Sequence, residues 1–218
     1  MKRTVYHSGD AALHEQILQL LSESFGSQYR EYYQLQLEHL ASPALTKILS
    51  DEEGRLAAFT QVVEYRFRTA PNTPKFRAAY LYSVCTARAY QGQGVMGSFL
   101  PQILSELKEA GYAFAFLVPA EVWLIDYYRR LGFQWMSDQV YQTVPKETCP
   151  LLRPIDDACD YLKAVDRLEG KSVSQHRFEQ QRFGEWQLLQ PPVIGWMAVS
   201  LQPGFQIPSE TCLLQPLT

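Results

Sequence analysis

A mixed α/β fold is what the 218-residue sequence predicts. Three observations predict it. Apolar residues recur at helical spacing in several separate stretches, as in Leu13, Ile17, Leu20, Leu21 and Phe25. Runs rich in β-branched and aromatic residues alternate with those stretches, bounded by Gly, Pro and Asp. And a strand–helix–strand order at residues 78–118 is the signature of near-parallel pairing inside one sheet.

The elements follow in chain order. Residues 10–25 read as a helix, and Tyr29, Tyr33, Leu37 and Leu40 mark a second one after Gly26. Residues 44–50 and 55–68 are strand-like and flank the turn signal Asp51-Glu52-Glu53-Gly54, so they predict a hairpin. Two prolines and an asparagine make residues 70–74 a loop. Residues 78–86 are a strand and 94–110 a helix closed by Gly111. Pro101 falls two turns into that helix, where it removes a hydrogen bond, so a kink or a late helix start is expected. Residues 112–118 read as a buried strand, 121–131 as a helix with Gly132 past its end, and 133–144 as one or two strands.

Pro145, Pro150 and Pro154 make residues 145–155 a composition break and predict a linker. Beyond it, Ile155, Cys159, Leu162, Val165 and Leu168 mark a helix. Ser172 with Gln175 resembles a capping box for a helix over 173–183. Strands are expected at 186–189 and 193–201, with Trp186 and Trp196 in a small core. The organisation predicted is a domain over 1–148 and a C-terminal α/β extension over 149–218.

Bulk properties narrow the function classes. The balance of 46% hydrophobic and 20% charged residues supports a real core. The net charge of −3 gives no basic stripe for nucleic acid, so no nucleic-acid partner is expected. The basic start of the chain lacks an apolar run and no stretch is long enough to span a bilayer, so no signal peptide and no membrane partner are expected. Cys85, Cys149, Cys159 and Cys212 form no metal-binding pair, and His7, His14, His39 and His176 are scattered, so no metal is expected. Reduced cysteines fit a cytoplasmic setting.

The sharpest feature is Tyr90-Gln91-Gly92-Gln93-Gly94-Val95-Met96-Gly97, between a strand and a helix. The first amides of a helix have no internal partner, and the helix dipole makes that end partly positive. Glycines let successive N–H groups converge on one anion, so the turn suits a diphosphate without any lysine. A P-loop is excluded because no Lys-Ser or Lys-Thr follows. A dinucleotide fingerprint is present as Gly92, Gly94 and Gly97, yet it should follow the first strand of its domain, and three strands precede it here. A plain glycine connection is the remaining alternative.

The same turn resembles motif A of the GCN5-related N-acetyltransferase (GNAT) family, [Q/R]-x-x-G-x-[G/A]. Gln91, Gly94 and Met96 fall on its fixed positions, with Met96 in place of the usual small residue and Gly97 next. Arg88 stands where members often carry proline. Residues 121–133 resemble motif B, in which a helix ends in Tyr-x-x-x-Gly-Phe, here Tyr128, Gly132 and Phe133. Glu121 stands where members often have asparagine. The two motifs occur in order about 30 residues apart, which is more specific than either alone.

The resemblance implies a GNAT acyltransferase fold, extended as in longer bacterial members, and acetyl-CoA as co-substrate. It implies that Gln91, Gly92, Gln93, Gly94, Val95, Met96 and Gly97 bind the diphosphate, and that the backbone of Val84, Cys85 and Thr86 runs beside the pantetheine arm. It implies that Tyr128 protonates the departing thiolate. The expected reaction is direct transfer of an acetyl group to a primary amine of a small molecule or peptide, with an oxyanion held by a backbone N–H near Val84–Thr86. A non-catalytic acyl-CoA-binding module is the alternative function. Tyr127 lies about 100° around the helix from Tyr128, so only one of them faces the cofactor.

Glu64 and Glu121 are the candidate bases. Cys85 has no histidine near it in sequence and reads as buried core. Tyr29, Tyr32, Tyr33, Tyr65 and Phe67 are either ordinary packing or an acceptor lining. The extension is left to cover the acceptor cleft or to make a homodimer.

Overall fold

The computed structural model describes residues 1–67, 76–137, 151–154, 195–207 and 212–213. The elements are β1 (Lys2–Thr4), α1 (Ala11–Phe25), α2 (Arg30–Leu40), β2 (Thr46–Ser50), β3 (Leu56–Phe67), β4 (Phe76–Thr86), α3 (Val95–Glu109), β5 (Phe114–Leu117), α4 (Trp123–Arg130), β6 (Gln134–Ser137), β7 (Leu151–Pro154), β8 (Trp196–Ser200) and β9 (Cys212–Leu213). The chain divides into one unit of Met1–Val63 with Leu81–Ile103 and another of Glu64–Tyr80 with Leu104–Thr218. The division falls inside β3, β4 and α3.

In the first unit the strands lie in the order β1, β2, β3, β4. β1 and β2 are antiparallel with Arg3 opposite Leu49, and β2 and β3 are antiparallel with Ile48 opposite Phe59. The hairpin expected around Asp51–Gly54 is therefore present. α1 begins where the Asp10 carboxylate accepts the Leu13 N–H at 3.0 Å, which satisfies one of its orphan donors. Its apolar stripe (Leu13, Ile17, Leu18, Leu20, Leu21) joins Tyr33 and Leu37 of α2 over Ile48, Leu56, Phe59 and Cys85. Ile17 and Leu21 are fully buried, and each contributes about 1.5–3 kcal/mol by leaving water.

In the second unit β4 and β5 are parallel, with Ala78 opposite Phe114, as the strand–helix–strand order predicts. β8 lies between β5 and β6 and is antiparallel to both. This strand comes from the stretch expected to form the extension, and Trp196 on it is fully buried against Phe116. Tyr65, Tyr80 and Phe116 complete an aromatic cluster with ring centroids 5.0–5.8 Å apart.

Three sequence readings need correction. β1 was not foreseen, because three exposed or half-exposed residues carry no burial pattern. The predicted linker over 145–155 contains β7, which pairs with β3 at Tyr65 and with β9 at Leu213. Its prolines flank or end the strand, where a missing N–H costs least. Helix α3 does not start late: it begins at Val95 and runs on through Pro101, which sits exposed. The carbonyl that loses its amide donor there belongs to Gly97. The loop predicted at 70–74, the strand residues beyond 137, the helices predicted over 155–183 and the strand at 186–189 lie outside the described residues.

Candidate functional site

The glycine turn connects β4 to α3 in the first unit. Gly92 and Gly94 have φ of 73° and 72°, the left-handed region that glycine enters without a steric penalty. An added Cβ at either would meet nothing within 4 Å, so backbone conformation and not crowding dictates glycine. The first helical hydrogen bond runs from Ser98 N–H to Gly94 O at 3.1 Å. Among the described residues, the N–H groups of residues 92–97 meet no acceptor. Residues 91–94 are exposed, whereas Val95 and Met96 turn their side chains inward. Met96, which replaces the small residue of the motif, thus fills core.

Two side chains brace the turn from within. Gln91 Nε2 donates to Thr86 O at 3.0 Å and Gln93 Nε2 donates to Ala89 O at 2.8 Å. Gln91, the glutamine of the motif, is therefore a strut between the turn and the end of β4. On β4, Val84 and Thr86 are half-buried and Cys85 is buried. Cys85 packs among the α1 residues, and burial pushes its thiol up to about 12. A thiol held neutral is no nucleophile. The core reading of Cys85 holds, which leaves its backbone for any ligand.

Ser83, just before these residues, has φ of 55° in the middle of a strand. It is the only non-glycine residue with positive φ among those described. Left-handed backbone thus sits inside β4 immediately before Val84. Ser83 belongs to the stretch Ser83–Thr86 that in sequence resembles the pantetheine strand, but no local signal marks its left-handed backbone.

In the second unit, α4 carries Tyr127 and Tyr128. Tyr128 is buried, with its ring 5.2 Å from that of Tyr127 and 5.7 Å from that of Phe133. The rest of the Tyr-x-x-x-Gly-Phe pattern is a helix stop. Gly132 has φ of 90°, and the N–H groups of Leu131 and Phe133 both donate to Tyr128 O, at 3.0 and 3.1 Å. The Tyr127 hydroxyl is buried with no hydrogen-bond partner, and burial raises its pKa.

The candidate bases are both engaged. Glu64 Oε2 accepts from Arg77 at 2.8 and 3.0 Å and from the Tyr112 hydroxyl at 3.0 Å. Arg77 also stacks over the Tyr112 ring, 4.1 Å from its centroid. Glu121 is exposed and accepts from Trp123 Nε1 at 2.8 Å. Of the aromatics, Tyr33 and Tyr65 are core, and Tyr29 is exposed. Tyr32 reaches the hydroxyl of Tyr82 at 2.6 Å. The side chain of Phe67 lies outside the described residues. Among the described residues there is no cluster of metal-ligating side chains, and no helix is long and apolar enough to cross a membrane.

A family model for the acetyltransferase (GNAT) domain matches residues 6–136. The chain belongs to the GNAT acetyltransferase family. That stretch includes both the glycine turn and α4. GNAT acetyltransferases use acetyl-CoA and act on amines.

Solved structures share the fold at low identity. A coenzyme A complex of aminoglycoside 6'-N-acetyltransferase has a TM-score of 0.54 at 11% identity, covering 94% of this chain and 100% of its own. The ribosomal-protein-S18-alanine N-acetyltransferase of Escherichia coli has a TM-score of 0.50 at 15% identity, covering 94% and 99%. A GCN5-related N-acetyltransferase from Kribbella flavida has a TM-score of 0.50 at 17% identity, covering 62% of this chain and 34% of that one. This chain therefore spans only about a third of the Kribbella protein. A search of the curated proteins finds no match.

Proposed function

We propose that this GNAT protein transfers an acetyl group from acetyl-CoA to a primary amine of a small molecule or peptide, directly and without a covalent enzyme intermediate. The observation that carries the proposal is the row of unsatisfied N–H groups at residues 92–97, at the head of a 15-residue helix. Converging amides at a partly positive helix end fit a diphosphate, and they need no cationic side chain.

The bound coenzyme supplies an activated thioester; the chain supplies grip, alignment and a proton. In this reading the amides of residues 92–97 hold the diphosphate, while Gln91 keeps the turn in shape. The backbone of Val84, Cys85 and Thr86 aligns the pantetheine arm, and the left-handed backbone at Ser83 turns a strand N–H toward the reacting carbonyl oxygen. Tyr128 gives its hydroxyl proton to the departing sulfur. Since Glu64 is already tied to Arg77 and Tyr112, water takes the amine proton in preference to this carboxylate. The neighbours that share the fold include an aminoglycoside 6'-N-acetyltransferase and a ribosomal-protein-S18-alanine N-acetyltransferase, so the proposed class is the primary amine. The setting proposed is the cytoplasm.

The test is release of free coenzyme A from acetyl-CoA on addition of amines from a panel, with calorimetry of coenzyme A binding alongside. Turnover with at least one amine is expected. Tyr128→Phe should slow release by about 100- to 10,000-fold with coenzyme affinity nearly unchanged, the scale of a lost general acid. Tight coenzyme binding with no turnover across the panel would favour a binding module. No affinity for coenzyme A in folded protein would end the proposal.

A further inference from the structure

The turn that presents its amides is tied down by groups remote from it in sequence. Tyr90 closes the short helical turn Arg88–Tyr90 and directly precedes Gln91. Its hydroxyl donates to Asp51 Oδ2 at 2.5 Å. Asp51 belongs to the β2–β3 turn and is 7% exposed. Its carboxylate is otherwise fully used: Oδ1 accepts the Arg55 N–H at 2.8 Å and Oδ2 accepts Arg55 Nε at 2.6 Å. The Asp51 N–H donates in turn to Arg55 O at 3.0 Å. The hydrogen bond from Tyr90, aided by Arg55, holds the Asp51 carboxyl well below the usual carboxylate range. With Tyr90 and Arg55 both donating to it and the charge held on, Asp51 is engaged in structure. What it does is hold Tyr90.

We propose that Tyr90, Asp51 and Arg55 form a latch between the two β-turn segments of this unit, and that these three are positioning residues which pre-shape the 91–97 amide turn for the coenzyme's diphosphate. The inference rests on the acetyl-CoA reading above and extends it to residues that touch no reactant. Its physical basis is preorganisation. A glycine-bearing, solvent-exposed turn with six unsatisfied amides is intrinsically floppy, and ordering it at the moment of binding subtracts from affinity. A charge-assisted hydrogen bond at its entry sets the shape beforehand. The latch therefore acts on coenzyme affinity, not on the chemical step.

The experiment uses the full chain with Tyr90→Phe, Asp51→Asn and the double variant, each checked for folding by thermal melting. Coenzyme A binding is read by calorimetry, acetyl-CoA and amine kinetics by thiol release, and turn mobility by amide hydrogen exchange. Tyr90→Phe should weaken coenzyme A binding and raise the KM for acetyl-CoA by about tenfold. At saturating acetyl-CoA, kcat and the amine KM should move less than about twofold. Exchange at residues 91–97 should quicken. The double variant should be no worse than Asp51→Asn alone, because Tyr90 acts through its contact with Asp51. Tyr90→Phe removes a single oxygen, so it decides the matter even if Asp51→Asn fails to fold. Unchanged affinity and unchanged exchange in folded Tyr90→Phe overturn the latch while leaving the acetyl-CoA reading intact. Absence of coenzyme binding in the wild-type chain overturns that reading itself, and with it the ligand assigned to the latch.

Discussion

The side-chain amide of Gln36, fully buried on α2, meets the hydroxyl of Ser83, with its Nε2 3.3 Å and its Oε1 3.4 Å from Ser83 Oγ. A buried helix amide thus contacts the strained residue of β4, whose φ is 55°. For a non-glycine residue that backbone region costs roughly 1–3 kcal/mol. Two substitutions separate strain from hydrogen bonding. Ser83→Ala and Ser83→Gly both remove the hydroxyl, but only glycine relaxes the backbone. Ser83→Gly should be the more stable by about 0.5–1 kcal/mol in chemical denaturation. Equal stability would mean that the strand carries no strain there.

The glycines of the turn should not respond alike. Gly92→Ala and Gly94→Ala force a side chain into left-handed backbone, at about 1–2 kcal/mol each, and should distort the turn and weaken coenzyme A binding. Gly97 lies inside α3, has no positive φ, and an added Cβ meets nothing within 4 Å. Gly97→Ala should raise stability by about 0.5–1 kcal/mol. Thermal melting of the three variants checks the order, and a destabilised Gly97→Ala would contradict it.

Alkaline pH should unfold the protein through three buried acids. Burial is the first cause pushing Cys85, Tyr33 and Tyr112 each up to about 12. In an unfolded chain a cysteine ionises near pH 8.5 and a tyrosine near pH 10. The folded state therefore keeps protons that the unfolded state releases, so stability is full below about pH 8.5 and falls as pH climbs toward 12. Urea midpoints at pH 7, 9 and 10.5 should decline from the second value onward, and Tyr112→Phe should flatten the decline. For the same reason Cys85 should resist iodoacetamide at pH 8 until the protein is denatured.

Glu64 should prove structural. Its engaged oxygen serves Arg77 and Tyr112, and the Arg77 side chain is 44% exposed, which limits the pair to about 0.5–1 kcal/mol. Glu64→Gln should lower stability by about that much while kcat stays within about threefold. A loss of two orders of magnitude in kcat, with pH dependence removed, would restore it as the base.

Local chemistry made most of the fold legible. The stripe from Leu13 to Leu21 and the Asp51–Gly54 turn each state their structure over a few neighbouring residues, and both appear where expected. The glycine turn and the Tyr128–Phe133 helix stop were equally readable, because positive φ demands glycine at Gly92, Gly94 and Gly132. What stayed hidden depends on partners distant in sequence. β1 exists only because β2 accepts it, β7 only because Tyr65 and Arg66 pair with it. The strain at Ser83 and the contact of Tyr90 with Asp51 are tertiary facts, and no spacing rule announces a residue 39 positions away.

The place of β8 has a consequence for biosynthesis. β5 and β6 both await a strand that begins at Trp196, so until the ribosome has passed that point each exposes an unpaired edge beside the Phe114 and Phe116 side chains. Open edges of this kind invite pairing with other nascent chains. A stop codon placed before Trp196 should therefore yield insoluble product, even though it leaves the glycine turn and α4 untouched.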